Sequence, residues 1–338
     1  SRAAFLMDRM LTLVGLSGKS FVPLLSSFAC AVPGIMSART IEDPRSRIVT
    51  ILVAPLMSCS ARLPVYVIFI AVFIPDLRLL GGLVGLQGLT LFGMYCVGIL
   101  VAIPVAWVLK STILKGQSTP FVLEFPSYKW PGPKAVGLRV YQNSKAFVTR
   151  AGTIILAAAI VMWALAYFPR SSMVLKIYQA KRENALKIYN YQTQQEALDE
   201  IDSQMASEFL NQSFLGRAGR FIEPVVRPLG WDWRMGMAAL ASFPAREIVV
   251  ATLGTIYSLG SNVDETSESL RNALKAAKGD DGRPIFNISV ALSVMVFFAL
   301  CAQCMSTLAI VQRETQSWRW AAFSFGYMTI LAYVGAFI

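Results

Sequence analysis

Residues 48–74 read IVTILVAPLMSCSARLPVYVIFIAVFI, an apolar run long enough to cross a bilayer but interrupted by Pro55, Pro64, Arg62 and the polar group Ser58-Cys59-Ser60. Proline lacks the amide hydrogen and clashes with the preceding turn, so the run is expected to be two half-helices joined by irregular backbone. Hydrocarbon tolerates such backbone only where protein or a wet cavity satisfies its N–H and C=O groups. The stretch therefore predicts a broken membrane helix whose polar middle faces the interior of a bundle or a pathway.

The same pattern extends outward. Residues 20–38 (SFVPLLSSFACAVPGIMSA) carry Pro23, Pro33 and Gly34 inside a short apolar segment, and residues 235–259 (MGMAALASFPAREIVVATLGTIYSL) place Pro244, Arg246 and Glu247 between two apolar half-lengths. Residues 81–109, 151–168, 285–311 and 320–338 read as clear spans. SSFACAVPGIMSART faintly echoes ASFPAREIVVATLG, and PLMSCSARLPV echoes ALCAQCMSTLAIV, the kind of internal symmetry that transporter repeats leave. The expected fold is an all-α polytopic membrane protein of about seven membrane segments, several discontinuous, arranged as two related bundles.

Composition agrees. Of 338 residues, 55% are hydrophobic and 15% charged, with a mean hydropathy of +0.53. Histidine is absent, which excludes imidazole triads, HExxH zinc sites and histidine haem ligation from these residues. The net charge of +11 suggests an anionic membrane surface and no nucleic acid, because the basic residues are sparse and lie between apolar runs. No GxxxxGK[ST] or GxGxxG motif occurs, so no nucleotide chemistry is expected here. The chain opens SRAAFLMDRM without a recognisable signal peptide, as expected of a piece of something longer.

Residues 110–150 hold Lys110, Lys115, Lys129, Lys134, Arg139, Lys145 and Arg150 against Glu124 alone, which predicts a cytoplasmic basic loop containing an interfacial helix. The expected organisation is a first bundle at 1–109, that loop, a transmembrane helix at 151–169, a polar periplasmic helical insert at 170–212, and a second transmembrane region at 213–338 with a polar insert at 261–284. Residues 216–234 (GRAGRFIEPVVRPLGWDWR) read as an amphipathic surface helix with Trp231 and Trp233 at headgroup depth.

Five cysteines are scattered through apolar sequence. Cys30 precedes Pro33-Gly34, where a helix stop leaves carbonyls without intrahelical partners; it reads either as a packing residue or as a thiol beside cation-binding carbonyls. Cys59, flanked by Ser58 and Ser60, reads as pathway lining or as helix–helix glue. Cys301 and Cys304 share a helical face, and Cys304 gains weight from Ser306 and Thr307 beside it. Cys96, in GMYCVGIL, reads as core. Arg246 and Glu247 read as an intramembrane ion pair, with Glu247 alternatively an oxygen ligand on a cation route. Met36, Met57 and Met305 lie near the thiols as weaker soft donors.

SRAAFLMDR (1–9), GLSGKSFVPLLSSFACAVPGIMSARTIEDPRSR (15–47), LVAPLMSCSARLPVY (52–66), PFVLEFPSYKWP (120–131), FPAREIVVATLGTIY (243–257) and CMSTLAIVQRETQSWRW (304–320) together resemble the membrane domain of the bacterial ferrous iron transporter FeoB family, with its two Gate regions. The resemblance implies a permease for Fe(II) import across the inner membrane past Cys30, Cys59 and Cys304, with Ser58, Ser60, Glu247 and Met36 as weaker metal contacts. It also implies an N-terminal GTPase domain, using GTP and Mg, and a first transmembrane helix, both absent from this chain. Small cytosolic Feo accessory proteins, a homo-oligomer and membrane lipids are the implied partners. A nucleoside or small-metabolite permease of similar Gate architecture is the leading rival, and a thiol oxidoreductase using Cys301 and Cys304 a third possibility.

Overall fold

The structure, a computed structural model, describes residues 8, 11, 16–79, 84–114, 132–187, 191–244, 246, 248–257, 268–277, 284–301 and 304–337. The chain divides into two compact units. Residues 1–61, 92–157 and 299–333 form the first; residues 62–91, 158–298 and 334–338 form the second.

Two pairs of short helices come from the proline- and glycine-interrupted segments. Helices α1 (Phe21–Ser27) and α2 (Ala31–Ser37) are separated by residues 28–30. A Cβ on Gly34 would lie 2.8 Å from the Pro23 carbonyl oxygen and 1.9 Å from Ser27 Oγ, so only glycine lets α2 fold back this closely on α1. Helix α3 (Pro44–Val53) is capped by Asp43, which accepts from the Arg45 and Ser46 amides, and has proline at its start. It runs into a 3₁₀ turn at Ala54–Leu56, an irregular stretch and a second 3₁₀ turn at Ser60–Arg62, and resumes as α4 (Leu63–Phe73). This is the broken helix expected from residues 48–74. Strands β1 (Arg78–Leu79) and β2 (Val84–Gly85) pair antiparallel, with Arg78 opposite Gly85, before the unbroken α5 (Leu86–Thr112).

Helix α6 (Pro133–Phe147) is exposed along its length and continues through a π-helical turn (Val148–Gly152) into α7 (Thr153–Tyr167). Helices α8 (Ser172–Ala185) and α9 (Tyr191–Gln212) pack on each other. Helix α10 (Phe214–Val226) is amphipathic, and α11 (Trp233–Ala241) and α12 (Ile248–Ile256) form the second half-length pair. Helix α13 (Glu268–Ala276) buries Leu270 and Leu274. Helix α14 (Ile288–Leu300), the interval 301–304 and α15 (Met305–Thr315) form a second broken span, and α16 (Trp318–Phe337) follows unbroken. A half-length pair, a broken span and a continuous helix thus occur twice in chain order, at 21–112 and at 233–337.

Among the described residues, four helices are long and apolar enough to cross a membrane: Pro44–Phe73, Leu86–Thr112, Ile288–Thr315 and Trp318–Phe337. A fifth arises if α7 and α8, bent by 77°, are one span. The described residues thus give four to five such spans and do not confirm the expected count of about seven; the half-length pairs α1–α2 and α11–α12 are too short to qualify. The lipid-facing character shows in exposed Phe92, Leu100 and Trp107 on α5, Leu156, Ile160 and Trp163 on α7, and Ile330 and Val334 on α16.

Trp231 departs from expectation. It is 3% exposed, its indole Nε1 donates to Ser293 Oγ at 3.3 Å, and its ring packs edge-on against Phe297. Gly230, with φ of +78°, ends the 3₁₀ turn after α10 and turns the chain inward, carrying Trp231 into the core. Trp233 stays half-buried beneath the Arg220 and Arg234 guanidiniums.

Candidate metal pathway

Cys30, Cys59 and Cys304 all belong to the first unit and all sit in helix interruptions. Cys30 is the residue before α2 and Cys304 the residue before α15, each in extended conformation and neither capping its helix through the side chain. Cysteine is a poor N-cap by the usual ranking. Cys59 lies between the two 3₁₀ turns of the α3–α4 break, half-buried, with Ser58 fully buried and Ser60 exposed beside it.

Helices α2 and α15 pack against each other, and the core between them includes Val32, Ile35, Ile310 and Val311, with Cys30 and Met36 packed against it. At their far ends Arg39 donates two hydrogen bonds to Glu314, Nε to Oε2 at 2.6 Å and Nη2 to Oε1. Cys30 lies nine residues before Arg39 and Cys304 ten before Glu314. The starts of the two helices therefore lie at the same end of the packed pair, opposite this ion pair. Ser60 Oγ donates to the Ala29 carbonyl at 3.3 Å, which ties the Cys59 segment to the residue preceding Cys30. The Cys30 and Cys59 interruptions are thus joined directly, and the Cys30 and Cys304 interruptions open the two packed helices α2 and α15.

A helix start presents partial positive charge, which repels a bare divalent cation, so an anionic donor is needed there. Cys304 stands at the start of α15, where its thiol becomes such a donor only on losing its proton. Cys304 Sγ lies 3.0 Å from Ser306 Oγ, adding an oxygen next to the sulfur. None of the five cysteines is in a disulfide. Among the described residues, no three Cys, Asp or Glu side chains are grouped as a ready-made metal site. Donors that are not closed into a cage suit passage of an ion better than its storage.

Close backbone packing supports the Cys59 break. A Cβ on Gly98 of α5 would stand 2.6 Å from the Leu56 carbonyl oxygen and 3.2 Å from Ser58 Oγ, so α5 reaches the break only because residue 98 lacks a side chain. At the far end of α3, burial pushes the Asp43 carboxyl up, but hydrogen bonds from the Ser46 hydroxyl and the Ser46 and Arg45 amides outweigh it and hold the group below the usual carboxylate range.

The remaining candidates fall elsewhere. Glu247 lies outside the described residues. Arg246 is 5% exposed, and its Nη1 donates to the Phe298 carbonyl at 2.8 Å. Cys301 is buried in the core, and Cys96 lies on the continuous α5. Sequence reasoning missed Gly98, the Arg39–Glu314 pair and Tyr327, whose hydroxyl donates to the Leu52 carbonyl. The two hydrogen-bonded pairs, Arg39–Glu314 and Tyr327–Leu52, join residues 275 apart. Gly98 could have been noticed as a small residue on an apolar helix, though its neighbour could not.

The helices and broken helices that are long and apolar enough to cross a bilayer define a multi-pass helical membrane protein. Residues 1–73 and 148–318 match the Gate family, described as nucleoside recognition, and residues 91–143 match the ferrous iron transport protein B C terminus family. The chain belongs to the Gate family. It is 43% identical over its full length to the Fe(2+) transporter FeoB of Leptospira interrogans, covering 45% of that protein. It is 38% identical to an Fe(2+) transport protein A/Fe(2+) transporter FeoB fusion protein of Porphyromonas gingivalis, covering 39%, and 34% identical to the Fe(2+) transporter FeoB of Helicobacter pylori, covering 50%. The chain thus spans about half or less of the length of these relatives. No solved structure matches it.

Proposed function

We propose that this chain is the permease part of a ferrous iron importer of the bacterial inner membrane, passing Fe(II) toward the cytoplasm by way of Cys30, Cys59 and Cys304. The location of Cys30, Cys59 and Cys304 in three helix interruptions of the same unit supports this reading most directly, and the names of the relatives support the cargo. Fe(II) is a borderline, exchangeable ion that thiols, serine hydroxyls and carbonyls can strip of water and release. Ser58 and Ser60 are the nearest oxygen donors in sequence; Glu247 and Met36 are secondary contacts. The remainder of the longer protein supplies the GTPase domain, with GTP and Mg, that gates the path. A small accessory protein, like the transport protein A fused in the Porphyromonas relative, and a homo-oligomer complete the working assembly. The basic residues of 110–150 support a cytoplasmic side for that loop.

A nucleoside permease is not favoured. The first unit does hold a cavity of about 200 Å³, but Leu16, Phe21, Leu24, Val53, Met57 and Ile99 and its other lining residues are all apolar, which leaves nothing to bond a ribose or a base. The test is uptake into proteoliposomes carrying the full-length protein. Fe(II) accumulation that requires GTP, with no nucleoside accumulation, is expected. Nucleoside uptake without Fe(II) uptake would overturn the proposal.

A further inference from the structure

Helix α10 presents three different faces. Toward α11 it buries Leu215, Gly216 and Gly219, and a Cβ on Gly219 would stand 2.8 Å from Met237 Cβ and 2.9 Å from the Trp233 carbonyl oxygen, so the missing side chain lets the two helices pack this closely. A second stripe is apolar and bare. Phe214, Phe221 and Val225, spaced seven and four residues apart, fall on one side of the helix and are 49%, 85% and 56% exposed. A third stripe carries Arg217, Arg220 and Arg227, all exposed. The Arg220 guanidinium stacks on Trp233 at 4.9 Å, and among the described residues none of these three arginines is in an ion pair. Glu223 is the single acid on the helix, and the neighbouring Asp232 is occupied as the cap of α11, accepting from the Met235 amide at 3.0 Å and lying 4.0 Å from Arg234.

Both ends of α10 are tied to ends of apolar helices. The Phe214 amide donates at 2.9 Å to the carbonyl of Phe168, the residue that follows α7. Beyond its other end, a Cβ on Gly230 would stand 3.0 Å from Val290 Cγ2 in the first turn of α14, and Trp231 donates to Ser293 one turn further in. A helix strung between the end of one apolar helix and the start of a membrane-spanning one lies along the boundary of the hydrocarbon, where a bare phenylalanine stripe beside arginines is stable. We propose that α10 is an anionic-phospholipid site in the plane of that boundary, with Phe214, Phe221 and Val225 among the upper acyl carbons and Arg217, Arg220 and Arg227 on lipid phosphates. A guanidinium pairs with a phosphate through two parallel N–H···O bonds. Three of them against one carboxylate favour lipids of net negative charge over zwitterionic ones. The cargo does not enter this assignment, which stands apart from the Fe(II) reading.

The test is photolabelling of the full-length protein in nanodiscs of mixed phosphatidylglycerol and phosphatidylcholine, each lipid in turn carrying a diazirine near the head of its acyl chain, with labelled peptides mapped by mass spectrometry. Peptides covering 214–227 should be labelled by both lipids and at least about fivefold more by phosphatidylglycerol, the scale of a single charge at an anionic surface. Peptides from the middle of α5 should show a ratio near one. Arg217→Gln, Arg220→Gln and Arg227→Gln combined should bring the α10 ratio to near one, whereas the same three positions changed to lysine should keep most of the preference. Phe221→Gln should lower α10 labelling by both lipids severalfold, with α5 labelling unchanged in every variant. No label on α10, equal labelling by the two lipids in the wild type, or a preference that survives the three glutamines would each sink the site. So would cross-linking of α10 to a second copy of the chain in place of lipid, which would make the apolar stripe a subunit contact.

Discussion

The broken spans and the continuous ones differ in burial as much as in backbone. Residues 44–73 and 288–315 have 56% and 62% of their apolar window buried inside the protein, against 22% for 86–112 and 28% for 318–337. Cys59 and Cys304 lie in the first kind and Cys96 in the second. A backbone interruption needs partners for its polar groups, and protein provides them where lipid cannot, so interruptions are driven to the interior. Continuous helices satisfy themselves and can face hydrocarbon.

The sharpest way to break this contrast is to exchange serine for each cysteine. Cys59→Ser and Cys304→Ser should each lower Fe(II) flux through the full-length protein by about tenfold or more, whereas Cys96→Ser should leave it near wild type. Equal losses in all three would show that position in a break does not decide the role. The next effect is on stability. Gly98→Ala drives a methyl against the Leu56 carbonyl and should cost about 1–3 kcal/mol, seen as a lower Tm in detergent. Gly93→Ala, one turn away on the same helix where nothing lies within 4 Å, should be neutral or gain up to about 1 kcal/mol.

The smallest expected effect concerns the entrance of a broken span. Asp43→Ala removes the cap of α3 and should cost about 1 kcal/mol at neutral pH. Because the folded carboxyl titrates below its usual range, its contribution is present above the unfolded value of about 4 and is lost as pH falls through the folded pKa. The Tm gap between wild type and Asp43→Ala should therefore narrow on acidification and close at low pH. A gap independent of pH would mean that the side chain acts through packing alone.

Much of this arrangement was legible in the residues. Pro55, Pro33-Gly34 and Pro244 marked three interruptions because proline and glycine act locally, through a missing amide or a missing side chain. The interval 301–304 was harder to see, since CAQC contains neither and the surrounding run reads as an unbroken span. Trp231 was misplaced for a related reason. An aromatic beside arginines looks interfacial until Gly230 turns the chain inward and Ser293, 62 residues away, accepts its indole hydrogen.

By itself, the amino-acid sequence determined the membrane character and three of the broken segments, because hydropathy and backbone chemistry are read within one turn of helix. Only the tertiary structure decided that Cys30 and Cys304 precede two packed helices, α2 and α15, that Ser60 donates to the Ala29 carbonyl, and that Tyr327 and Arg246 donate to the Leu52 and Phe298 carbonyls. Those contacts join residues 31 to 275 positions apart. They follow from the need of each freed carbonyl for whichever donor the packed bundle brings within reach, a choice that no local pattern encodes.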